Sequence, residues 1–243
     1  MLVRGMTMRL STWPAPWDLP EGTNLMSGHD QQLSEHEAAA MFEPPSWDER
    51  YSAPEKVFSG DPNPQLVAEV TGLTPGTALD LGCGEGGDAI WLAGQGWTVT
   101  GADFSANGLA RAARHAEQAG VADRIDWWQV DARAFAADGR SYDLVTSHFL
   151  HLPDGGMVEL TRRLAEAVAP GGHLLVVGHA PSELFTRLTA SHRAAMFVAE
   201  DLLPAVPGNF EILVADQRPR TMIRAGVTVD AHDSTLFARR TSS

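Results

Sequence analysis

The segment Ala78–Trp91, with the sequence ALDLGCGEGGDAIW, constrains the fold of this chain more than any other feature. Residues 77–81 form a short, mostly apolar run, which predicts a buried strand. Four glycines follow within residues 82–87, and glycine can adopt a positive φ or let a ligand approach the backbone closely. The apolar residues 89–93 then open a helix. A strand, a glycine turn and a helix in this order predict a nucleotide-type binding site at the carboxyl end of a parallel strand.

The charges around this turn favour a ligand without phosphates. The pattern Gly82-x-Gly84-x-x-Gly87 also matches the dinucleotide fingerprint, with Asp103 at about the ~20-residue spacing of its ribose-binding acid. A nicotinamide-dependent oxidoreductase is therefore one alternative. However, a pyrophosphate at this helix N-terminus would face several carboxylates, and no lysine or arginine lies between residues 56 and 111 to offset them. S-adenosylmethionine, with its sulfonium, α-ammonium and ribose diol, fits better. The carboxylates belong to Asp80, Glu85 and Asp88.

The run Leu79–Gly86 resembles the first motif of the class I S-adenosylmethionine-dependent methyltransferases. Four later segments match further motifs of that family in the same order, across roughly residues 77 to 180. The resemblance implies S-adenosyl-L-methionine as the cofactor and methyl transfer as the activity. The later segments are GADFS at 101–105, VDA at 130–132, YDLV at 142–145 and PGG at 170–172.

The resemblance assigns cofactor-binding roles to residues after the second and third strands. Asp103 is expected to accept hydrogen bonds from the ribose hydroxyls, the alternative being that it caps the next helix, as Ser105 also can. Phe104 follows it at the same edge. Asp131 is expected to bind the adenine amine and the Ala132 N–H a ring nitrogen, the alternative again being a helix cap.

The methionine part of the cofactor is expected to lie on the glycine turn. Gly82 and Gly84 would supply close backbone contacts, while Asp80 would orient the turn and help balance the α-ammonium. Cys83 is expected to be a small buried residue there rather than a nucleophile, because methyl transfer needs no enzyme thiol. Ser147, after the fourth strand, lies where the family contacts the methionine moiety.

His148 and His151 are the candidate catalytic residues, because they follow the fourth strand where the acceptor is expected. Either could be a general base titrating near neutrality, or simply a histidine of the pocket wall; His179 is a third candidate. A hydroxyl acceptor would need a base, whereas a thiolate or reduced chalcogen would not. The remaining histidines show no metal-ligand spacing, so no metal is predicted.

An aromatic segment precedes the glycine turn. Trp47 and Tyr51 lie four residues apart on a helix predicted from Trp47 to about Ala53, and Phe58 follows. These rings could simply cover the edge of the core. Their spacing is also similar to the N-terminal lid of thiopurine-type and tellurite-resistance-type methyltransferases, although Tyr51 stands where tryptophan is frequent.

The chain as a whole is predicted to be α/β. Residues 1–32 lack apolar periodicity and predict a disordered extension, residues 33–60 a helical lid segment, and residues 61–243 the methyltransferase domain. Alternating strands and helices predict a Rossmann-like, doubly wound seven-stranded sheet. The sheet would be mostly parallel, with an antiparallel C-terminal hairpin formed by residues 210–217 and 234–239.

Composition limits the partners. The formal net charge of −13 argues against nucleic acid, and no apolar run approaches the ~20 residues of a membrane span. The single cysteine excludes an intrachain disulfide, and residues 1–30 lack the apolar core of a secretory signal. We therefore expect a cytoplasmic protein acting on a small-molecule acceptor. The acceptor and the oligomeric state stay open, as does a non-catalytic S-adenosylmethionine-binding role.

Overall fold

The computed structural model describes residues 43–53, 57–181, 190–224 and 227–242. These residues form a seven-stranded sheet with helices packed on both faces. The strands are β1 (Thr77–Leu81), β2 (Thr98–Asp103), β3 (Ile125–Gln129), β4 (Tyr142–His148), β5 (Val168–His179), β6 (Phe210–Arg224) and β7 (Val227–Arg240). The helices are α1 (Pro44–Ser52), α2 (Pro64–Val70), α3 (Gly87–Gly94), α4 (Ala106–Ala119), α5 (Gly156–Glu166), α6 (Ala190–Ala195) and α7 (Ala199–Leu202).

The strand order is β3-β2-β1-β4-β5-β7-β6. Strands β1 to β5 pair in parallel, whereas β7 runs antiparallel to both β5 and β6. This confirms the predicted doubly wound sheet with an antiparallel C-terminal hairpin. Because the order reverses between β1 and β4, the carboxyl ends of these strands enclose the crevice in which such folds bind ligands.

Two apolar layers hold the sheet between its helices. One face packs against α5 and α7 through buried residues such as Leu160 and Leu202. The other face packs against α2, α3 and α4 through residues such as Leu66 and Leu92. Burial on both faces explains why the central strands appear in the sequence as nearly continuous apolar runs.

The C-terminal hairpin is longer than predicted and extends past the sheet. Strand β5 ends at His179, opposite Asp233, but the pairing of β6 with β7 continues from Arg218–Asp233 to Arg224–Val227. We call the paired residues 219–224 and 227–232 the hairpin arm. Since β5 ends at the carboxyl edge, the arm projects beyond the same edge as the crevice.

One other predicted boundary is wrong. Helix α1 begins at Pro44, not Trp47, because proline is tolerated in a first helical turn; the Pro44–Pro45 pair opens this helix. Strand β5 begins at Val168, which pairs with Tyr142 before a register shift carries the strand past residues 170–172. The predicted extension 1–32 and residues 33–42 and 54–56 of the predicted lid segment lie outside the described residues.

Candidate active site

A pocket opens at the carboxyl ends of β1, β2 and β4, where the strand order reverses. It brings together all but two of the residues predicted for the site. The exceptions, Asp80 and Ser147, are buried and do not line it. The predicted residues that line the pocket are Trp47, Tyr51, Gly82, Cys83, Gly84, Asp103, Phe104, Asp131, Ala132, His148 and His151.

The glycine turn requires its glycines. Gly82 and Gly84 have φ values of 83° and 52°, a region that residues with side chains rarely adopt. A Cβ on Gly84 would lie 2.7 Å from the Tyr51 hydroxyl, and one on Gly82 would lie 2.8 Å from Leu150 Cδ1. The N–H groups of residues 82 and 83 donate to the Ala102 carbonyl at 2.8 and 3.1 Å. The neighbouring strand therefore orients the turn, a role that the sequence had suggested for Asp80.

Asp103 ends β2 opposite this turn. Its carboxylate accepts hydrogen bonds from the Gly84 N–H and the Ser105 N–H, both at 2.9 Å. Burial raises the pKa of Asp103 despite these bonds. Ser105 caps α4 by accepting from the Gly108 N–H. Asp103 is therefore free of the capping role and faces the pocket beside the turn.

Asp131 follows β3 and is partly engaged by its neighbours. Its carboxylate accepts a hydrogen bond from the Arg133 backbone N–H at 2.8 Å and forms an ion pair with the Arg133 guanidinium at 2.8 Å. The same guanidinium also pairs with Glu43. These bonds from Arg133 lower the pKa of Asp131. The capping alternative is thus present in the structure, and a role in binding adenine stays a prediction.

Asp80, Asp88 and His148 form a cluster whose oxygen and nitrogen atoms lie within 4.8 Å of one another. Asp80 accepts from Thr146 Oγ1 at 3.3 Å, and its other oxygen is buried with no hydrogen-bond partner among the described residues. Burial, reinforced by Asp88, raises the pKa of Asp80 to about 7. Because a nearby positive charge favours the ionised form of a carboxyl group, a cation bound here would help both Asp80 and Asp88 to ionise. The sequence had not predicted that these residues meet.

His148 and His151 differ in how their ring nitrogens are used. His148 Nδ1 lies 2.8 Å from Asp88 Oδ2, while its Nε2 is buried with no hydrogen-bond partner in the described part of the chain. Burial lowers the pKa of His148, but Asp88 and Asp80 outweigh it and leave the pKa raised. His151 Nδ1 donates to the Ala195 carbonyl at 3.0 Å, and its Nε2 accepts from the His179 N–H at 3.4 Å. His148 therefore has the nitrogen better placed to receive a proton.

The predicted aromatic segment lies against the glycine turn. The ring centroids of Trp47, Tyr51 and Phe58 lie 5.9 to 6.4 Å apart. The Asp48 carboxylate fixes α1 to the start of α4 by accepting from the Ser105 hydroxyl and the Asn107 side chain.

Glu85 anchors the same segment, and this role was not predicted. Its carboxylate accepts from the N–H groups of Val57 and Phe58, both at 3.0 Å, and pairs with Arg111 at 2.7 Å. The expectation that Glu85 presents an unbalanced charge to the ligand is therefore wrong. The sequence carried no signal for it, because Arg111 lies 26 residues away.

The hairpin arm contributes Arg220 to the pocket wall. Its guanidinium lies 5.0 Å from the centroid of the Phe149 ring, and Nη2 lies 3.0 Å from His179 Nδ1. The Phe149 and His179 rings stack with centroids 4.5 Å apart. Phe149 has a φ of 52°, a rare value for a residue with a side chain and one that is concentrated at functional sites.

Residues 78–172 match the model of a methyltransferase domain family. The chain is also 33% identical over 145 residues to the ubiquinone biosynthesis O-methyltransferase of Serratia proteamaculans, a match that covers 58% of this chain and 56% of that protein. Residues 78–172 of the chain are therefore similar to a methyltransferase domain. The chain spans about half the length of the curated relatives that it matches.

Solved protein structures share the fold of this chain. The Haemophilus influenzae protein TehB superposes with a TM-score of 0.62 at 20% identity, covering 84% of this chain and 68% of that one. The N-methyltransferase NodS of Bradyrhizobium japonicum, solved with S-adenosylhomocysteine, superposes with a TM-score of 0.60 at 19% identity, covering 80% and 97%.

The residues of the methyltransferase domain fit S-adenosylmethionine. The glycine turn leaves no room for side chains, and a buried carboxylate oxygen of Asp80 lacks a partner beneath it. Both features suit a ligand that approaches the backbone and carries positive charge. Among the described residues, none of the helices is long and apolar enough to cross a membrane.

Proposed function

We propose that this chain transfers the methyl group of S-adenosylmethionine to a nucleophilic atom of a small molecule. One observation carries the proposal: the positive-φ glycine turn after β1 faces the buried carboxylate of Asp103 after β2, bonded to it through the Gly84 N–H. The methyltransferase relatives support the same reaction.

We assign the nucleoside part of the cofactor to the β2 and β3 side of the pocket. Asp103 would accept from the ribose hydroxyls through lone pairs that its two backbone bonds leave available. Asp131 and the Ala132 N–H would bind adenine, with Phe104 beside them.

We assign the methionine part to the glycine turn and the acidic cluster. Gly82, Cys83 and Gly84 would contact it through the backbone, and the carboxylates of Asp80 and Asp88 would favour its ammonium. The contact between Ser147 and the methionine moiety, which the resemblance implies, is the weakest of these assignments, because Ser147 is buried and does not line the pocket. Trp47 and Tyr51 would cover the bound cofactor as a lid, so that water is excluded from the reaction.

S-adenosylmethionine, when bound, supplies an electrophilic methyl group on a sulfonium. The protein then has to hold the acceptor atom in line with it at about 3–3.5 Å, which accounts for much of the rate in such transfers. Asp88 orients His148 by bonding to Nδ1, so that Nε2 can remove the proton of a hydroxyl acceptor. A pre-ionised sulfur or chalcogen acceptor would not need this base.

We further propose that the protein acts in the cytoplasm and not on nucleic acid. The buried, free Cys83 fits a reducing compartment, and a formal net charge of −13 disfavours phosphate binding. We also propose the domain division predicted above, with residues 33–60 as the lid segment and residues 61–243 as the methyltransferase domain.

Methyl transfer itself is the test of this proposal. The full chain would be incubated with methyl-labelled S-adenosylmethionine and a mixture of phenols, carboxylic acids, amines and thiols. Stoichiometric S-adenosylhomocysteine and a labelled product are expected. Tight cofactor binding without transfer to any acceptor would instead indicate a non-catalytic binding domain. Hydride transfer with a nicotinamide cofactor would indicate the oxidoreductase alternative.

A further inference from the structure

Asp80 is a buried carboxyl group with few partners. It lies in β1, beneath the glycine turn, and only 2% of its surface is exposed. One of its oxygens accepts a hydrogen bond from Thr146 Oγ1 at the long distance of 3.3 Å, and the other has no hydrogen-bond partner among the described residues. A carboxylate that is removed from water and so weakly bonded is costly to ionise. The geometry therefore favours the protonated form of Asp80.

The titratable groups that face Asp80 from other elements leave its charge uncompensated. Asp88 in α3 and Asp103 at the end of β2 are carboxylates, and both oppose the ionisation of Asp80. His148 at the end of β4 favours it, but the Nδ1 of this histidine already lies 2.8 Å from Asp88 Oδ2. Cys83 in the glycine turn is uncharged, because burial raises the pKa of its thiol well above the usual value. These groups give Asp80 no cation of its own.

Asp88 is the better-bonded member of this pair of carboxyl groups. Its Oδ1 accepts from the Asn63 N–H at 2.6 Å, and its Oδ2 lies 2.8 Å from His148 Nδ1. Two such contacts suit an ionised carboxylate, which is purely an acceptor. Asp80 and Asp88 lie in one cluster, and two carboxyl groups close together in a buried site resist carrying two negative charges. We therefore expect the proton of the pair to lie on Asp80.

We propose that Asp80 holds a proton in the cofactor-free protein and releases it when the cationic methionine end of the cofactor binds, so that cofactor affinity rises with pH. This inference rests on the proposed function and adds a pH-dependent control of cofactor binding. The ammonium assigned to Asp80 and Asp88 would stabilise two negative charges where the cofactor-free cluster tolerates one. The O–H bond of Asp80 breaks, its proton passes to solvent, and no other covalent bond changes.

The direction of this pH dependence follows from the form of Asp80 that the ligand favours. Without ligand, the pKa of Asp80 is about 7, because burial and Asp88 raise it. Below that pH each binding event has to expel the proton, so the affinity falls as pH falls. His148 would give the same direction, since a nearby cation disfavours its protonated form, and Asp103 would do so through the ribose hydroxyls. The experiment has to separate Asp80 from both.

Calorimetry on the full chain at pH 6.5, in two buffers that differ in ionisation enthalpy, measures the protons released on binding. One probe is S-adenosylhomocysteine, and the other is 5′-methylthioadenosine, which keeps the nucleoside and the sulfur but lacks the ammonium and carboxylate. The wild type should release about half a proton or more with S-adenosylhomocysteine and clearly less with 5′-methylthioadenosine, which retains any contribution of Asp103. The affinity for S-adenosylhomocysteine should rise about tenfold or more from pH 5.5 to 7.5.

Three variants assign the proton. Asp80→Asn should lose most of the release with S-adenosylhomocysteine and flatten the pH dependence of its affinity. His148→Gln should still release a proton, because Asp80 and Asp88 remain. Asp61→Asn is the matched control, since it removes an exposed carboxylate from the lining of the same pocket and should leave the release unchanged. Circular dichroism checks the folding of each variant.

Binding of S-adenosylhomocysteine by the wild type without proton release would overturn the proposal, whether or not Asp80→Asn folds. So would equal release with the two probes, or an undiminished release in Asp80→Asn. A release that is lost in His148→Gln but kept in Asp80→Asn would assign the proton to the histidine and contradict the proposal as well. Failure of the wild type to bind S-adenosylhomocysteine would instead refute the proposed function.

Discussion

At the scale of single residues, the bond between His148 and Asp88 determines which ring nitrogen of the histidine can accept a proton and raises the pKa of the ring. A carboxylate on Nδ1 fixes the ring so that Nε2 is the free position, and it favours the protonated form. A base of this kind works only where it is neutral, above its pKa, and that pKa is raised above the ordinary value of 6.5.

We predict that turnover of a hydroxyl acceptor rises with pH through a midpoint above 6.5, as His148 loses its proton. His148→Gln should lower turnover about 10²–10⁴-fold and abolish this acidic limb, with cofactor affinity intact. His151→Gln is the control, since both ring nitrogens of His151 are already bonded, and it should keep the limb. The pH–rate profiles of the two variants test whether His148 is the general base. An unchanged limb in His148→Gln would remove this histidine from the chemistry.

Asp80 should make stability depend on pH. Its pKa is about 7 in the folded protein, against an ordinary value of 3.8. The folded state therefore retains a proton that the unfolded chain releases, and this contribution to stability is lost as pH rises from about 4 to 7. Asp80→Asn removes the effect. Between pH 5.5 and 8, the variant should gain about 1–2 kcal/mol relative to wild type in urea unfolding without cofactor. A pH-independent difference would show that the folded-state pKa of Asp80 does not lie between these pH values and would contradict the prediction.

At the scale of elements, hydrogen bonds join the predicted lid segment to the glycine turn and to the start of α4. Glu85 lies within the turn and accepts from two N–H groups of the lid segment, while Asp48 in α1 bonds to the start of α4. Tyr51 packs over Gly84, whose side-chain position it occupies. A ligand that orders the turn would therefore also favour the observed position of the segment bonded to it.

Two truncations should separate the N-terminal extension from the lid. We predict that deleting residues 1–32 leaves the S-adenosylhomocysteine affinity nearly unchanged, because those residues carry no periodic apolar pattern. Deleting residues 1–58 should weaken it about tenfold or more, because the apolar cover over the ligand is lost. Calorimetry measures both, with circular dichroism as the control for folding. Equal affinities would mean that Trp47 and Tyr51 only cover the core edge.

The elements that the sequence predicted well are those in which local signals agree. The β1 strand and the glycine turn each follow from neighbouring residues, and the structure confirms them. The length of the hairpin arm could not be predicted, because residues 219–224 and 227–232 pair only with each other and no further strand of the sheet fixes where they end.

The sequence predicted the parts of the site that a single segment supplies, but not the contacts between segments that are distant in the sequence. Asp103 and the turn follow from local motifs. The pairing of Asp88 with His148 joins residues 60 apart, and Arg220 reaches the pocket only because the hairpin arm passes the end of β5. Such contacts depend on tertiary packing, which no local pattern specifies.

At the scale of the whole molecule, the sheet order divides the pocket into two sides. The reversal between β1 and β4 sets the acidic cofactor side, built from β1, β2 and β3, against a side built from β4, β5 and the hairpin. The first side carries three of the five family motifs, at residues 79–86, 101–105 and 130–132. The second side carries Arg220 and the histidines. Arg220 comes from a part of the chain that matches none of the family motifs.

The central claim is that the glycine turn and Asp103 bind S-adenosylmethionine rather than a nicotinamide dinucleotide. Calorimetric titration of the full chain with S-adenosylhomocysteine, and separately with NAD, tests it most directly. The structure predicts one S-adenosylhomocysteine per chain, weakened by about 1–3 kcal/mol in Asp103→Ala, and no comparable NAD binding. Tight binding of NAD with no detectable binding of S-adenosylhomocysteine would contradict the account.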